Sequence, residues 1–228
     1  MKRIVLFAAV LALCSSVSIM AANHRQAYAL KGEVKEAAVI AYNVVMEDGE
    51  FQFTDRDETA DTVFMKFDKQ GRLLEDHMHN IYTWDSKGNF KQGNFPYSKI
   101  KCDKNGRVVE YEDIDPDGEG ETDTDFTLTY TYDAAGRLIK VVQEGYAGCF
   151  EGTYTYDSNG YLIGEKFKGD QEGGVVWSTD IEYNNMEFDE HGNWTVRLVS
   201  MLVNTQEEGE EPVSDSSYAV ERCEIVYY

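Results

Sequence analysis

The sequence predicts an all-β chain, with consecutive antiparallel β-hairpins laid side by side in one long, curled meander sheet. Three observations predict it. One turn pattern recurs six times along the 228 residues. The segments beside it alternate apolar and polar side chains, as in Phe126, Leu128, Tyr130 and Tyr132 against Thr127, Thr129 and Thr131. Outside the N-terminus, no stretch of about eleven residues carries the 3.6-residue period of a helix. The internal repeat outranks the other signals, because each copy is a unit that buries its apolar face only against its neighbours.

The pattern is a residue that is usually aromatic, then Asp, two variable residues, Gly, one residue and a large side chain. The copies are Phe67-Asp68…Gly71-Arg72-Leu73, Trp84-Asp85…Gly88-Asn89-Phe90, Cys102-Asp103…Gly106-Arg107-Val108, Tyr132-Asp133…Gly136-Arg137-Leu138, Tyr156-Asp157…Gly160-Tyr161-Leu162 and Phe188-Asp189…Gly192-Asn193-Trp194. Asp opening a type I turn accepts a backbone N–H two residues on. Gly supplies the positive φ that ends a three-residue hairpin loop in a bulge. This register predicts the cross-strand pairs Phe67/Leu73, Trp84/Phe90, Cys102/Val108, Tyr132/Leu138, Tyr156/Leu162 and Phe188/Trp194. It also sets Asp68, Asp103 and Asp133 opposite Arg72, Arg107 and Arg137, read as register-setting pairs on a solvated face.

The elements follow in order. Residues 23–30 read as a frayed lead-in and 31–46 as a long first strand, with a short helix as the alternative. Asp48-Gly49 signals a two-residue hairpin between Val44-Val45-Met46 and Phe51-Gln52-Phe53. Residues 54–61 are a polar connection. The six turns follow, their glycines spaced 17, 18, 30, 24 and 32 residues apart, so the stems differ in length. Residues 194–203 and 218–228 read as a closing strand pair, with an acidic loop from Glu207 to Ser217 between them.

Residues 1–22 read as a signal peptide: Lys2 and Arg3, an apolar run Ile4–Leu13, and Ala21-Ala22 as the cleavage site. Cys14 offers lipoprotein anchoring as a second reading. Residues 23–228 read as a single hairpin-repeat domain, not transmembrane when mature. Loss of Lys2 and Arg3 takes the formal net charge from −21 to −23, which opposes nucleic acid and anionic membranes as partners. Of the mature cysteines, Cys102 fills a core-facing slot, and Cys149 and Cys223 are candidates to pair.

The segments 130–138 and 154–162 resemble the YD repeat of the RHS family, the second with Tyr161 in the usual Arg position. Lys69–Leu73 and Lys104–Val108 fit more loosely, and the resemblance spans roughly 67–194. It implies consecutive hairpins in one curling antiparallel sheet. Large members use many repeats as a shell or an extracellular scaffold; six copies imply the fold without the shell. The chain is also similar to small exported bacterial proteins that carry scattered copies.

Candidate chemistry is sparse. Asp113, Asp115, Asp117, Glu119 and Glu121 place carboxylates at alternating positions around Gly118 and Gly120, the opening of a calcium loop. The match to an EF-hand stops at position twelve, which is Thr124. His77 and His79 share a strand face, a spacing found in zinc and copper sites, and the simpler reading is a polar surface. Asn193-Trp194-Thr195 matches a glycosylation acceptor and reads more simply as a repeat turn. No nucleophile, phosphate-loop or metalloprotease motif is present. Tyr130, Tyr154, Trp84 and Trp177 are candidates to stack on a sugar or grip a protein, or else to form the core. The leading expectation is a non-enzymatic binding or scaffold protein of the periplasm or cell surface, with a protein or glycan partner. A calcium-ordered scaffold is the alternative, and a carboxylate hydrolase is third.

Overall fold

The computed structural model describes residues 30–47, 50–56, 62–76, 81–87, 90–93, 98–104, 107–114, 124–145, 148–171 and 174–228. The described residues form strands and turns and no helix. The strands are β1 (Val34–Glu47), β2 (Glu50–Arg56), β3 (Val63–Phe67), β4 (Leu73–Asp76), β5 (Tyr82–Trp84), β6 (Phe90–Gly93), β7 (Ser98–Cys102) and β8 (Val108–Ile114). They continue with β9 (Thr124–Tyr132), β10 (Leu138–Gly145), β11 (Gly148–Tyr156), β12 (Leu162–Gln171), β13 (Val175–Phe188), β14 (Trp194–Gln206) and β15 (Val213–Tyr227). One antiparallel sheet has the order β4-β3-β1-β15-β14-β13-β12-β11-β10-β9-β8-β7, with β2 paired to β1 beside that path, and β5–β6 form a separate pair. The fold is all-β, and most of it is one large antiparallel sheet.

The chain divides into two compact units. The first takes the described residues up to 81 with 184–199 and 218–228; the second takes 82–183 and 200–217.

In the first unit β1 is central. Gly32, at φ +79°, turns the chain into it. Its apolar, β-branched run pairs with β15 on one side, as in Ala37↔Ile225 and Val39↔Cys223, and with β3 on the other, as in Ala37↔Met65. The Glu47↔Glu50 pair joins β1 to β2 across the two residues that signalled a hairpin. Val34, Ala37, Phe67, Leu73 and Val220 are almost fully buried. Each buried Val, Leu or Phe side chain of this kind contributes about 1.5–3 kcal/mol. Leu30, assigned to the lead-in, is also buried.

The second unit is a meander from β7 to β13. Its register sets Tyr130, Val141, Gly152, Phe167 and Thr179 side by side across five strands, all on the buried face. Gly152 is required there: a Cβ would sit 2.5 Å from the Phe167 ring. Gly169 does the same for its neighbours, since a Cβ would lie 2.4 Å from the Cys149 carbonyl oxygen and 3.0 Å from the Trp177 ring. The missing side chains leave room for aromatic rings from adjacent strands, Phe167 at Gly152 and Trp177 at Gly169. The opposite face carries Thr131, Lys140, Thr153, Lys166 and Asp180 in one row, with ion pairs Lys140–Glu151 at 2.8 Å and Lys166–Asp180 at 3.0 Å. Exposed pairs like these fix register more than they stabilise.

Two sequence assignments shift. Val213–Ser217 belongs to β15, not to a loop, because Gly209 at φ +82° and the bond from the Glu210 N–H to the Glu207 carbonyl reverse the chain within 207–212. Cys149 and Cys223 are not bonded: Cys102, Cys149 and Cys223 are all free thiols, half-buried, exposed and buried respectively.

Candidate functional site

The recurring turn is the most chemically loaded feature, and its geometry repeats closely. Five predicted cross-strand pairs are present: Phe67↔Leu73, Trp84↔Phe90, Cys102↔Val108, Tyr132↔Leu138 and Tyr156↔Leu162, each beside a bulge. The sixth turn makes the same backbone bonds, from Asp189 N–H to the Asn193 carbonyl at 2.9 Å and from Gly192 N–H to the Asp189 carbonyl at 3.0 Å. Gly71, Gly136, Gly160 and Gly192 hold φ between 78° and 87°, the left-handed region that a side chain disfavours. Gly88 and Gly106 lie outside the described residues.

The Asp carboxylate divides its labour. Its Oδ1 accepts the N–H of the residue after Gly, at 2.9 Å from Arg72, 3.0 Å from Arg107, 2.9 Å from Arg137, 2.8 Å from Tyr161 and 2.8 Å from Asn193. In the Asp85, Asp157 and Asp189 turns it also accepts the N–H two residues on, at 2.8, 2.9 and 2.9 Å. Its Oδ2 accepts a guanidinium in three copies: Arg72 to Asp68 and Arg107 to Asp103 at 2.6 Å, and the Arg137 Nε to Asp133 at 2.7 Å.

These ion pairs are not simply on a solvated face. Their side chains are 17–27% exposed, because the aromatic of the following copy covers two of them. The Arg107 guanidinium lies 4.7 Å from the Tyr132 ring centroid, and that of Arg137 lies 4.6 Å from Tyr156. Each tyrosine also reaches back with its hydroxyl, Tyr132 to the Val108 carbonyl at 2.8 Å and Tyr156 to the Leu138 carbonyl at 2.9 Å. The Tyr132 and Tyr156 copies are thus each locked to the copy before. For Asp133, burial opposes ionisation, and the backbone N–H, side-chain bonds and charge of Arg137 outweigh it, so its carboxyl lies below the usual range. Both tyrosine hydroxyls are raised well above theirs, chiefly by burial.

The sixth turn, in the first unit, is different. Asn193 stands where Arg stands in three other copies, and it is only 1% exposed. Its side-chain amide treats Lys31 as a strand partner: Oδ1 accepts the Lys31 N–H at 2.6 Å and Nδ2 donates to the Lys31 carbonyl at 2.9 Å. Nδ2 also donates to the Tyr227 hydroxyl at 2.7 Å, and that hydroxyl donates to the Asp189 Oδ2. His191 stacks on the Tyr227 ring at 4.1 Å. Burial and the bond to Asp189 push the Tyr227 hydroxyl up to about 12. Burial opposes ionisation of Asp189 too, but the Tyr227 hydroxyl and Asn193 outweigh it and hold the carboxyl low.

The remaining candidates fall as follows. Asp113 lies on β8, its backbone opposite Ser98 and Phe126. Asp115, Asp117, Glu119 and Glu121 lie outside the described residues, as do His77, His79, Cys14 and residues 1–22. Among the described residues no group of three or more His, Cys, Asp or Glu side chains stands together as a metal site. Tyr130, Tyr154 and Trp177 are buried, Tyr154 against Phe167 at 5.9 Å and Trp177 against Phe150 at 6.3 Å between ring centroids. Trp84 is half-buried against Phe90 at 5.7 Å. The core outcompetes ligand contact for these rings, because a sheet with one buried face draws its large aromatics inward. Among the described residues the aromatics left exposed are Phe188, Tyr218 and Tyr228, each more than 40% exposed, and alternation in the sequence did not single them out. Among the described thiols, a bond to Asp170 raises Cys149, and burial raises Cys102 and brings Cys223 to about 12. Thiolate nucleophiles require the opposite shift.

No protein-family model matches the chain. No curated protein matches it. Among solved structures, it is similar to a porin-like protein from Bacteroides uniformis, at 10% identity and a TM-score of 0.41, over 86% of this chain and 98% of that one.

Proposed function

We propose that the chain is an exported, non-enzymatic binding or scaffold protein of the bacterial periplasm or cell surface, built on hairpin repeats of the RHS type, with a protein or glycan as partner. The observation that carries this reading is the engagement of the repeated carboxylates. Asp68, Asp103, Asp133 and Asp189 each hold backbone N–H groups with one oxygen and a side chain with the other. A carboxylate that closes its own turn is a structural fastener, not a base waiting for a proton. The raised thiols point the same way. Phe188, Tyr218 and Tyr228 supply exposed rings of the kind that grip sugars or apolar side chains.

The mature chain is not membrane-spanning in this reading. The exposed face of the second unit carries Lys140, Lys166 and Lys168, and a lysine facing lipid at the bilayer midplane costs about 2–4 kcal/mol. The test is expression of the full chain in a bacterial host, followed by fractionation, mass measurement and assay. The expected product is exported, begins at Asn23, binds cell-surface polysaccharide or an envelope protein through a face lost in Phe188→Ser, and turns over no glycoside. Cytoplasmic retention or turnover of a glycoside would each sink the reading.

The calcium-ordered scaffold is the second reading. Ile114 of β8 pairs with Thr124 of β9, the two described residues that flank the acidic segment 115–123 in sequence. Calcium at about 100 times its Kd would add about 2.7 kcal/mol to unfolding. That is a rise of roughly 5–10 °C in Tm, lost in Asp117→Ala. Identical melting in calcium and in EDTA removes this reading.

A further inference from the structure

We propose that Asn159 is a site of self-modification, deamidation through a cyclic imide, which the closed turn holds back and an open β11–β12 hairpin releases. The chemistry needs a side-chain amide, the backbone nitrogen of the next residue, and no Cβ on that residue to crowd the ring as it closes. Asn followed by Gly meets all three needs. The pair occurs at Asn105-Gly106 and Asn159-Gly160, in both cases at the same place in the repeat. Asn105 and Gly106 lie outside the described residues. The other copies carry Gln70, Lys87, Ala135 and His191 before the glycine. Lys, Ala and His have no amide, and Gln would have to close a larger ring.

Asn159 is exposed, so water reaches its amide. In the reaction the Gly160 nitrogen loses its proton and bonds to the Asn159 Cγ. The Cγ–Nδ2 bond breaks, and the amide nitrogen leaves as ammonia with that proton. Water then opens the imide. Cleavage at Cγ leaves aspartate at position 159; cleavage at the main-chain carbonyl leaves isoaspartate, whose backbone runs through Cβ and Cγ. One water enters and one ammonia leaves.

The closed turn opposes the first step. The N–H of the attacking Gly160 nitrogen is bound to the Asp157 carbonyl at 3.1 Å. Asp157 Oδ1 holds the N–H on either side of that glycine, Asn159 at 2.9 Å and Tyr161 at 2.8 Å. Bringing the Gly160 nitrogen onto the Asn159 Cγ requires these bonds to open. Isoaspartate then adds a carbon to the backbone of a tight loop, and aspartate adds a charge two residues from Asp157. Residue 159 thus keeps a lasting record of the time its hairpin has spent open.

The test is incubation of the full chain at mildly alkaline pH, in native buffer and in concentrated urea, with mass mapping of the peptide that carries residue 159. Deamidation is expected to be at least tenfold slower in native buffer, because several turn bonds must open together. Asp157→Ala removes the carboxylate and keeps the carbonyl; in native buffer it should deamidate about tenfold faster than wild type, with tryptic cleavage at Arg137–Leu138 unchanged. The comparison of native buffer with urea needs no variant and stands whether or not Asp157→Ala folds. No deamidation at 159 in urea overturns the site. Equal rates in native buffer and in urea overturn the guard. An Asp157→Ala rate equal to wild type overturns the part given to the carboxylate.

Discussion

The Asp133 turn of the second unit and the Asp189 turn of the first share one backbone and differ in one oxygen. Both use Oδ1 to hold the N–H four residues on. At Asp133 the second oxygen stays local, on Arg137, and the tyrosine that covers it comes from the next hairpin. At Asp189 the second oxygen reaches a different strand, and the neighbouring Asn193 reaches the start of the chain. The difference teaches which part of a repeat is fixed by local physics. The first oxygen and the glycine make the turn and do not vary. The second oxygen is a spare acceptor, free to be reassigned without disturbing the hairpin.

The largest effect expected from breaking this comparison is on the carboxylates themselves. Asp189→Ala strips the acceptor from a half-buried hydroxyl and two backbone N–H groups and is expected to cost about 3 kcal/mol in urea unfolding. Asp133→Ala releases an arginine that water can reach, and about 2 kcal/mol is expected. The opposite ranking would mean that the two turns are not related as argued. Next come the rungs between hairpins. Tyr132→Phe and Tyr156→Phe each remove one hydroxyl bond to a carbonyl and should cost about 1 kcal/mol apiece; clearly unequal losses would show that the copies are not equivalent. A smaller change is expected at the position after Gly. Tyr161→Arg supplies Asp157 with the guanidinium found in three other turns and should stabilise by about 0.5 kcal/mol, more at low salt than at high.

The acid response is the subtlest. Asp133 and Asp189 both titrate below the ordinary 3.8 in the folded chain. A lowered folded value means that their stabilisation is complete above the unfolded value and is lost as pH falls through the folded one. Unfolding followed from pH 6 down to pH 2 should show this loss, and Asp189→Asn should shrink it. A chain whose stability is flat from pH 5 to pH 2 would remove the electrostatic part of the comparison.

The hairpins were legible in the sequence because their cause is local. Asp, Gly and the flanking aromatics lie within seven residues, and they set the register of Tyr132↔Leu138 without help from the rest of the chain. The alternation of 126–132 likewise announced which side of β9 is buried. The stacking of Arg107 on Tyr132 was harder to see, because it joins two copies 30 residues apart and depends on the tilt of one side chain over another strand. Asn193 was harder still. In the sequence it is one departure from a common Arg and part of a glycosylation match. Its role exists only once Lys31 and Tyr227 have been brought beside it. The exposed aromatics Phe188, Tyr218 and Tyr228 escaped for the same reason, since composition cannot say which rings a sheet leaves outside.

The rungs between hairpins also govern how such a chain changes length over evolutionary time. Each hairpin of the Tyr132 type carries a plug, its tyrosine, and a socket, its arginine. A duplicated hairpin brings both, so it can be inserted between two existing copies with no mismatch on either side. Each insertion adds two strands and widens the sheet by roughly 10 Å, and it preserves the antiparallel alternation. The Asp157 turn ends that freedom: with Tyr161 in place of Arg it offers no socket, and a hairpin duplicated beyond it would find nothing to plug into.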